Sequence, residues 1–239
     1  MVNGPQVMCI AGEDSTGLAG LDQDVRTIRA LGCFPLPLCT ATTHQSSRAP
    51  QEVAVREPEK VLREIQDRLS DSTVASVKVG MLGNREMVEA VMEGLKHYSG
   101  AVVVDPVLKA SSGLMLLEKT GWSALKQFVE RCTLVTPNLP EFEQLGGEGW
   151  LEELGIPVLL KGGHGKDEVL VDRLIWPDGR SFQKSHLRLS LANSRGTGCA
   201  LSSAVACNLA LGIGLQEAVS GGIDWLQSTF RSQELPLSP

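Results

Sequence analysis

Features that mark several other classes of protein are missing from this chain of 239 residues. No apolar run approaches the roughly 20 residues that a membrane-spanning helix requires, so we expect no membrane partner. The first ten residues lack a basic segment followed by a long apolar stretch, which predicts no secretory signal peptide and a cytoplasmic location. Lysine and arginine are not clustered, and the net charge of -6 argues against a nucleic-acid partner.

Common metal, disulfide and nucleotide motifs are also missing. The six cysteines form no C-x-x-C pair, and without an export signal we expect them to be reduced thiols. There is no zinc-binding spacing, no H-E-x-x-H and no EF-hand pattern. The turn from Gly12 to Gly17 is not followed by Lys-Ser/Thr, and no G-x-G-x-x-G follows a predicted strand. A bound nucleotide would therefore be held in another way.

What is present is an alternation of short apolar runs with amphipathic helical patterns. Val74 to Val79 and Ala101 to Val104 are typical of buried strands, and helical spacing separates such runs along most of the chain. This alternation predicts an α/β fold with a mostly parallel central sheet, built as a single domain over residues 1–239. Pro177-Asp178-Gly179 predicts a hairpin turn, and residues 43–50 are expected to form a polar loop.

One stretch combines a glycine-punctuated loop with a helix of small and apolar residues. Gly196 and Gly198 permit a sharp turn and close approach of a ligand, and Ala200 to Leu211 is typical of a buried helix. The first amides of such a helix have no intrahelical partner and form a candidate anion hole. Cys199 would lie at its mouth, where we expect a lowered thiol pKa. The alternative is a plain turn before a core helix, with Cys199 as a small hydrophobic residue.

Polar or otherwise distinctive residues follow six predicted strands. Because carboxyl ends of parallel strands share one edge of a sheet, they would meet in a crevice that suits a small molecule. The six are Asp14, Gln45, Met81, Asp105, Asn138 and Lys161.

Each of these residues also has a purely structural interpretation. Asn138 and Glu141 would form a helix cap, or would order water around a phosphate-bound Mg²⁺. Lys161 is either a solvated lysine or neutralises the charge of a phosphate. Asp105 either forms the turn that ends a strand or lies near the metal or the phosphates. Asp24 is expected to be solvated unless its helix face lines the crevice.

Three further side chains carry weaker hypotheses. Gln45 offers an amide that suits an aminopyrimidine edge, although such a residue is usually just exposed. His44 and His164 are conceivable bases, but neither has an evident partner in the sequence.

Seven motifs in this order resemble the hydroxymethylpyrimidine/phosphomethylpyrimidine kinases of thiamine biosynthesis, within the ribokinase-like superfamily. The resemblance covers nearly the whole chain and implies a three-layer α/β/α sandwich. It is carried by AGEDSTGLAG with Asp24 after it, TATTHQ, VKVGMLG, VDPV, TPNLPE, KGGH and GTGC.

The resemblance implies that ATP, with Mg²⁺, phosphorylates 4-amino-5-hydroxymethyl-2-methylpyrimidine and then its monophosphate. It also implies that such a protein is often a dimer. The implied substrate-binding residues are Gln45, Gly12, Ala19, Thr43 and Met81. The implied catalytic residues are Cys199 as base, Gly196 and Gly198 of the anion hole, and Asp24. The implied phosphate-binding residues are Lys161, Asp105 and Thr197. Asn138 and Glu141 would bind the metal ion through water.

Two alternatives remain open at this point. A pyridoxal or pyridoxine kinase on the same fold would use similar glycines and a thiol, and a non-catalytic pyrimidine-binding module would keep the pocket alone. The chain also departs from the family pattern at His44, at Lys109 to Ser112, and between Gly146 and Ile156. We expect little more than one helical turn in the last of these segments.

Overall fold

The structure is a computed structural model, and it describes residues 4–46, 49–110, 112–163, 168–189 and 195–231, with backbone alone at 44–46 and 49–51. Nine strands form one sheet in the described part of the chain. They are β1 (Gln6–Asp14), β2 (Phe34–Ser46), β3 (Ala49–Val55), β4 (Val74–Val79), β5 (Ala101–Val104), β6 (Leu134–Val135), β7 (Val158–Leu160), β8 (Val169–Ile175) and β9 (Ser181–Leu187). Their order across the sheet is β3-β2-β1-β4-β5-β6-β7-β8-β9.

Six strands that are adjacent in the sheet pair in parallel, in the order β2, β1, β4, β5, β6 and β7. Strands β3, β8 and β9 each run antiparallel to a neighbour. The predicted mostly parallel sheet is therefore confirmed. The predicted hairpin at residues 177–179 is also present, joining β8 to β9. Because the parallel strands point the same way, their carboxyl ends share one edge of the sheet.

Helices cover both faces of the sheet. They are α1 (Gly20–Ala30), α2 (Pro58–Asp71), α3 (Arg85–Gly94), α4 (Trp122–Val129), α5 (Leu139–Leu145), α6 (Gly147–Glu153), α7 (Thr197–Ala210) and α8 (Leu215–Arg231). Side chains of β1 alternate between two cores: Met8 and Ile10 pack toward the layer of α2 to α6, and Val7 and Cys9 toward α1, α7 and α8. This is the three-layer α/β/α sandwich that the resemblance implied.

Helix α7 is the most deeply enclosed element among these helices. Every residue from Ala200 to Asn208 is buried, as its run of small and apolar residues predicted. The Ser76 hydroxyl of β4 donates to the carbonyl of Ala206 (2.8 Å), and Gly222 of α8 lets the Val205 side chain approach closely. These contacts hold the second half of α7 against β4 and α8.

Three local expectations are wrong. The predicted polar loop at residues 43–50 is largely strand, because β2 continues to Ser46 and β3 returns antiparallel with Thr43 opposite Val53. The β-branched residues on both strands favour that pairing. Strand β1 likewise runs past Ala11 to Asp14, across an irregularity between Ala11 and Glu13. Helix α6 has seven residues, nearly two turns rather than little more than one.

In the described part of the chain, no helix combines the length and apolar character needed to cross a membrane.

Candidate active site

The carboxyl edge of the sheet brings most of the predicted site residues around a small cavity of about 170 Å³. A cavity of roughly 150 Å³ accommodates a benzene ring, so this one has the size of a single small ring. It receives residues from β1, β2, the α1 start, the β4 end and the α7 N-terminus. The predicted residues among its lining are Gly12, Asp14, Ala19, Thr43, Met81, Asp105, Asn138, Glu141, Lys161, Gly196, Gly198 and Cys199.

Gly12 and Met81 form a close contact in the wall of this cavity. A Cβ on Gly12 would lie 2.6 Å from the Met81 Sδ atom, so a side chain there would displace the thioether. The Thr40 hydroxyl donates to the Met81 carbonyl (2.7 Å), and the Thr43 hydroxyl donates to the Glu13 carbonyl (3.2 Å). These bonds hold the strand ends that shape the cavity.

Three of the predicted side chains are not placed. The backbone at His44 and Gln45 lies in β2, but their side chains fall outside the described part of the structure, as does His164. The predicted contact of Gln45 with a pyrimidine therefore remains a prediction.

A second cavity of about 710 Å³ adjoins the first and is within the roughly 300–1,000 Å³ that ligand sites usually occupy. Thr197 lines it. Its lining overlaps that of the small cavity at Lys109, Ala110, Asn138, Glu141, Lys161, Arg195, Gly196 and Gly198. The two spaces therefore meet at the N-terminus of α7.

The predicted turn before α7 has the required backbone. Gly196 has φ of +81°, and a side chain there would clash with the carbonyl of Leu18. The Ala200 amide donates to the Gly196 carbonyl (2.8 Å), so the preceding amides of the first turn have no intrahelical acceptor. A Cβ on Gly198 would lie 3.3 Å from Lys161 Nζ, so a cation stands beside these amides. The arrangement is that of an anion-binding helix terminus.

The thiol of Cys199 differs from the expectation. Burial raises its pKa to about 11, Lys78 opposes that rise, and the charges of Asp24 and Asp105 add to it. The sequence-based expectation of a lowered pKa is wrong, because it considered the helix terminus and not the surrounding desolvation and carboxylates. A proton is therefore bound firmly at this atom in the free protein.

Asp24 is entirely buried, on the helix face that was expected to be solvated. Its Oδ2 accepts from Lys78 Nζ (2.8 Å) and its Oδ1 from the Ser203 hydroxyl (2.8 Å). Burial alone would lower the pKa of Lys78, but Asp24, Cys199 and Asp105 raise it above its ordinary value. Lys78 lines the small cavity and Asp24 does not, so Asp24 acts on that cavity through its ion pair with Lys78.

Lys78 was missed by reasoning from sequence alone. The signal that could have identified it is a single charged residue in the mostly apolar strand β4, three residues before Met81.

Asp105 and Lys161 form a second buried pair, between the ends of β5 and β7. Lys161 Nζ donates to Asp105 Oδ1 (2.6 Å). Burial would lower the pKa of Lys161, whereas Asp105 and Glu141 raise it, with the net shift upward. Both residues lie at the carboxyl edge of the sheet, where the sequence predicted them, but their ion pair was not predicted.

Asn138 and Glu141 form a reciprocal cap at the start of α5. The Asn138 Oδ1 atom accepts from the Glu141 amide (2.9 Å), and Glu141 Oε2 accepts from the Asn138 amide (2.8 Å). The capping interpretation is thus confirmed. Burial raises the pKa of Glu141 to about 7; Lys161 opposes the shift and Asp105 adds to it. The described residues contain no group of three or more His, Cys, Asp and Glu side chains able to enclose a metal.

A further polar cluster in the larger cavity was also missed. His186 Nε2 lies 3.1 Å from Asp172 Oδ2, and its Nδ1 lies 3.0 Å from Gln227 Nε2. The bond to Asp172 raises the pKa of His186. The Oε1 atom of Gln227 is buried and has no hydrogen-bond partner among the residues that the structure describes. The cluster joins the β8–β9 hairpin to α8, and Gln227 is 41 positions from His186, so no local motif predicts it.

Comparisons with known proteins found a matching family model and similar sequences. The model of a family described as phosphomethylpyrimidine kinase matches residues 14–238. The hydroxymethylpyrimidine/phosphomethylpyrimidine kinase of Haemophilus influenzae is 33% identical over 96% of this chain and 92% of its own length. The chain spans about a third of the length of the multifunctional thiamine biosynthesis protein ThiED of Corynebacterium glutamicum and that of C. efficiens, which it also matches.

Solved structures share the architecture. The phosphomethylpyrimidine kinase of Clostridium difficile 630 superposes with a TM-score of 0.77 at 29% identity, covering 94% of this chain and 99% of that one. The pyridoxal kinase of Staphylococcus aureus in complex with AMP-PCP and pyridoxal gives a TM-score of 0.81 at 22% identity, covering 95% and 88%. At 22% identity, the similarity to the pyridoxal kinase shows a shared fold alone.

Proposed function

Because the chain belongs to the phosphomethylpyrimidine kinase family, we propose that it phosphorylates 4-amino-5-hydroxymethyl-2-methylpyrimidine with ATP, and then the resulting monophosphate, in thiamine biosynthesis. The observation that carries the proposal is the meeting of a ring-sized cavity and a larger cavity at the N-terminus of α7. Phosphoryl transfer depends on positioning and charge neutralisation, and both are available at this junction.

The small cavity is the proposed acceptor pocket. Gly12, Ala19, Thr43 and Met81 line it from β1, the loop before α1, β2 and the loop after β4, and Gln45 follows Thr43 by two residues on β2. These residues would bind the pyrimidine with its hydroxymethyl group directed toward Cys199. Cys199 is the proposed base, since the attacking hydroxyl must lose its proton. Lys78 favours the thiolate when the proton leaves.

The larger cavity is the proposed ATP site. Lys161 and the amides of residues 197–199 would bind the transferring phosphoryl group, with Gly196 and Gly198 leaving room for it. Asp105 would hold Lys161 in place through their 2.6 Å bond.

The oxygen donors at the junction fit Mg²⁺ bound largely through phosphates and water. Asp105, Asn138 and Glu141 present carboxylate and amide oxygens there, which is the donor chemistry that this ion prefers. The ion would neutralise phosphate charge. Asn138 and Glu141, already fixed by their reciprocal cap, would orient its water ligands.

We further propose that residues 1–239 act as one kinase domain, in the cytoplasm and as a homodimer. Sedimentation velocity on the purified chain would test the dimer.

The direct test is an assay with ATP and Mg²⁺ in which hydroxymethylpyrimidine and pyridoxal are offered in parallel and products are identified by mass. Monophosphate and diphosphate of the pyrimidine are the expected products, lost when EDTA is added. Turnover of pyridoxal alone would overturn the proposal. Tight pyrimidine binding without any product would indicate the non-catalytic module.

A further inference from the structure

In the described part of the chain, three cation–carboxylate pairs lie at or near the junction of the two cavities, and they differ in burial. Lys78 and Asp24 are wholly buried, and the Lys161 and Asp105 side chains are 11% and 4% exposed. The third pair is Arg195 with Asp14, whose side chains are 27% and 7% exposed. Arg195 is therefore the most exposed of the three cations.

The contact between Arg195 and Asp14 is also the longest of the three. One guanidinium nitrogen, Nη2, lies 3.2 Å from Asp14 Oδ1 and 3.1 Å from Oδ2, against 2.6 Å for Lys161 on Asp105. Charge-assisted bonds at full strength are about 2.7–2.9 Å long. Asp14 has a second set of donors, the amide and hydroxyl of Thr16 at 3.2 and 2.7 Å. Its carboxylate would remain hydrogen-bonded after the guanidinium moved.

Arg195 is placed where the acceptor and donor sites meet. It immediately precedes Gly196 and lines both cavities, whereas Asp14 lines the small one alone. A phosphate carried into the small cavity by the acceptor would therefore approach both the Asp14 carboxylate and the Arg195 guanidinium.

We propose that Arg195 binds the phosphate of the monophosphate acceptor, exchanging Asp14 for a phosphate oxygen, and thereby makes the second phosphoryl transfer possible. The inference rests on the proposed function. The first acceptor is a neutral alcohol and adds no charge beside Asp14. The second carries close to two negative charges at neutral pH, which Asp14 would repel unless a cation intervened.

The two transfers also differ in their proton balance. In the first, the hydroxyl oxygen bonds to the γ-phosphorus, the bond to ADP breaks, and the hydroxyl proton must go to a base. In the second, an ionised phosphate oxygen attacks the γ-phosphorus and ADP leaves, with no proton to remove. The first transfer therefore depends on Cys199 and the second on charge neutralisation by Arg195.

The test compares Arg195→Gln and Arg195→Lys with the wild-type chain, supplying either the pyrimidine alcohol or its monophosphate together with MgATP. We expect Arg195→Gln to lower kcat/KM for the monophosphate by about 10- to 100-fold, the range for loss of a hydrogen bond to a charged group. For the alcohol it should stay within about 3-fold, and Arg195→Lys should recover part of the loss. Arg180→Gln removes an exposed arginine in the β8–β9 turn and is the matched control.

Binding without ATP gives an independent reading. Calorimetric titration should show a weaker Kd for the monophosphate in Arg195→Gln and an unchanged Kd for the alcohol. Equal losses for both acceptors, no loss for either, or a wild-type chain that makes no diphosphate from the monophosphate would each overturn the inference. A wild-type chain that phosphorylates neither acceptor would instead refute the proposed function.

Discussion

Lys78 Nζ lies 2.8 Å from Asp24 Oδ2, and both side chains are wholly buried. The hydroxyl of Ser203 donates to Asp24, and Ser203 lies one turn of α7 after Cys199. The pair joins β4, α1 and α7 beneath the small cavity. An ammonium group at this depth persists because carboxylates surround it. The pair is thus a structural support of the site as well as a source of positive charge.

Lys78→Met is expected to lower the free energy of unfolding by about 3–5 kcal/mol, because it leaves the Asp24 carboxylate buried without its cation. The double variant Lys78→Met with Asp24→Asn should lose less than the sum of the two single variants. Urea denaturation of all four proteins measures this coupling. Additive losses would show that the two residues do not support one another.

Cys199→Ala should lower kcat for the pyrimidine alcohol by about 100- to 10,000-fold with little change in its affinity, since a base acts on the transition state. Because the pKa of the free thiol is raised to about 11, log kcat/KM of the wild type should rise with pH between about 6 and 9. The variant should lack that rise. Cys132→Ala, which removes a buried thiol beside α4, is the control. Unchanged turnover in Cys199→Ala would remove this residue from the mechanism.

Gly12→Ala should raise KM for the pyrimidine by about tenfold or more, because the new methyl group displaces the Met81 thioether, 2.6 Å away, into the small cavity. Met81→Ala added to Gly12→Ala should restore part of the affinity by making room. Gly155→Ala is the control, since a Cβ there meets no atom within 4 Å. Steady-state kinetics suffice, and a KM that stays constant in Gly12→Ala would place the pyrimidine elsewhere.

Gln45→Ala tests the proposed contact between the Gln45 amide and the pyrimidine. We expect weaker pyrimidine binding because the amide offers both a donor and an acceptor to the ring. Calorimetry measures the dissociation constant directly, and an unaltered value would mean that this side chain does not contact the ring.

Glu141→Gln should alter how stability depends on pH. The folded pKa is raised to about 7 from an ordinary value of 4.5, so the folded state holds a proton that the unfolded state releases. The stability that this bound proton provides is complete below about pH 4.5. As the pH rises through 7, the free energy of unfolding falls by about 2–4 kcal/mol. Without Mg²⁺, Glu141→Gln should therefore gain stability relative to the wild type from pH 5 to 8. The exposed Glu148→Gln should not, and parallel curves for Glu141→Gln and the wild type would contradict the shift.

Much of the fold was predictable because it depends on local patterns. The buried parallel strands β5 and β6 coincide with continuous apolar runs, which their covered faces require, and β4 is apolar except for Ser76 and Lys78. The cap at Asn138 followed from the spacing of Asn, Pro and Glu. Strand β3 was missed because its segment has polar residues at intervals and gains its pairing from β2, not from its own composition.

The electrostatics of the site could not be obtained in this way. Lys78 and Asp24 are 54 positions apart, and their pairing exists only after β4 and α1 have packed together. The pKa of Cys199 depends on how much water the fold removes and on carboxylates from two other elements. Both are properties of the assembled cavity.

The turn that begins α7 has a consequence for how this protein can diversify. Gly196 packs directly against the carbonyl of Leu18, so the loop that would bind phosphate and the loop that borders the acceptor pocket share one backbone contact. A change that enlarged the pocket by moving residues 17–19 would also move the anion hole. Substitution of side chains such as Met81 is therefore the more accessible evolutionary route to new acceptors. Insertions in the 17–19 loop would widen the range of acceptors and lower the catalytic rate.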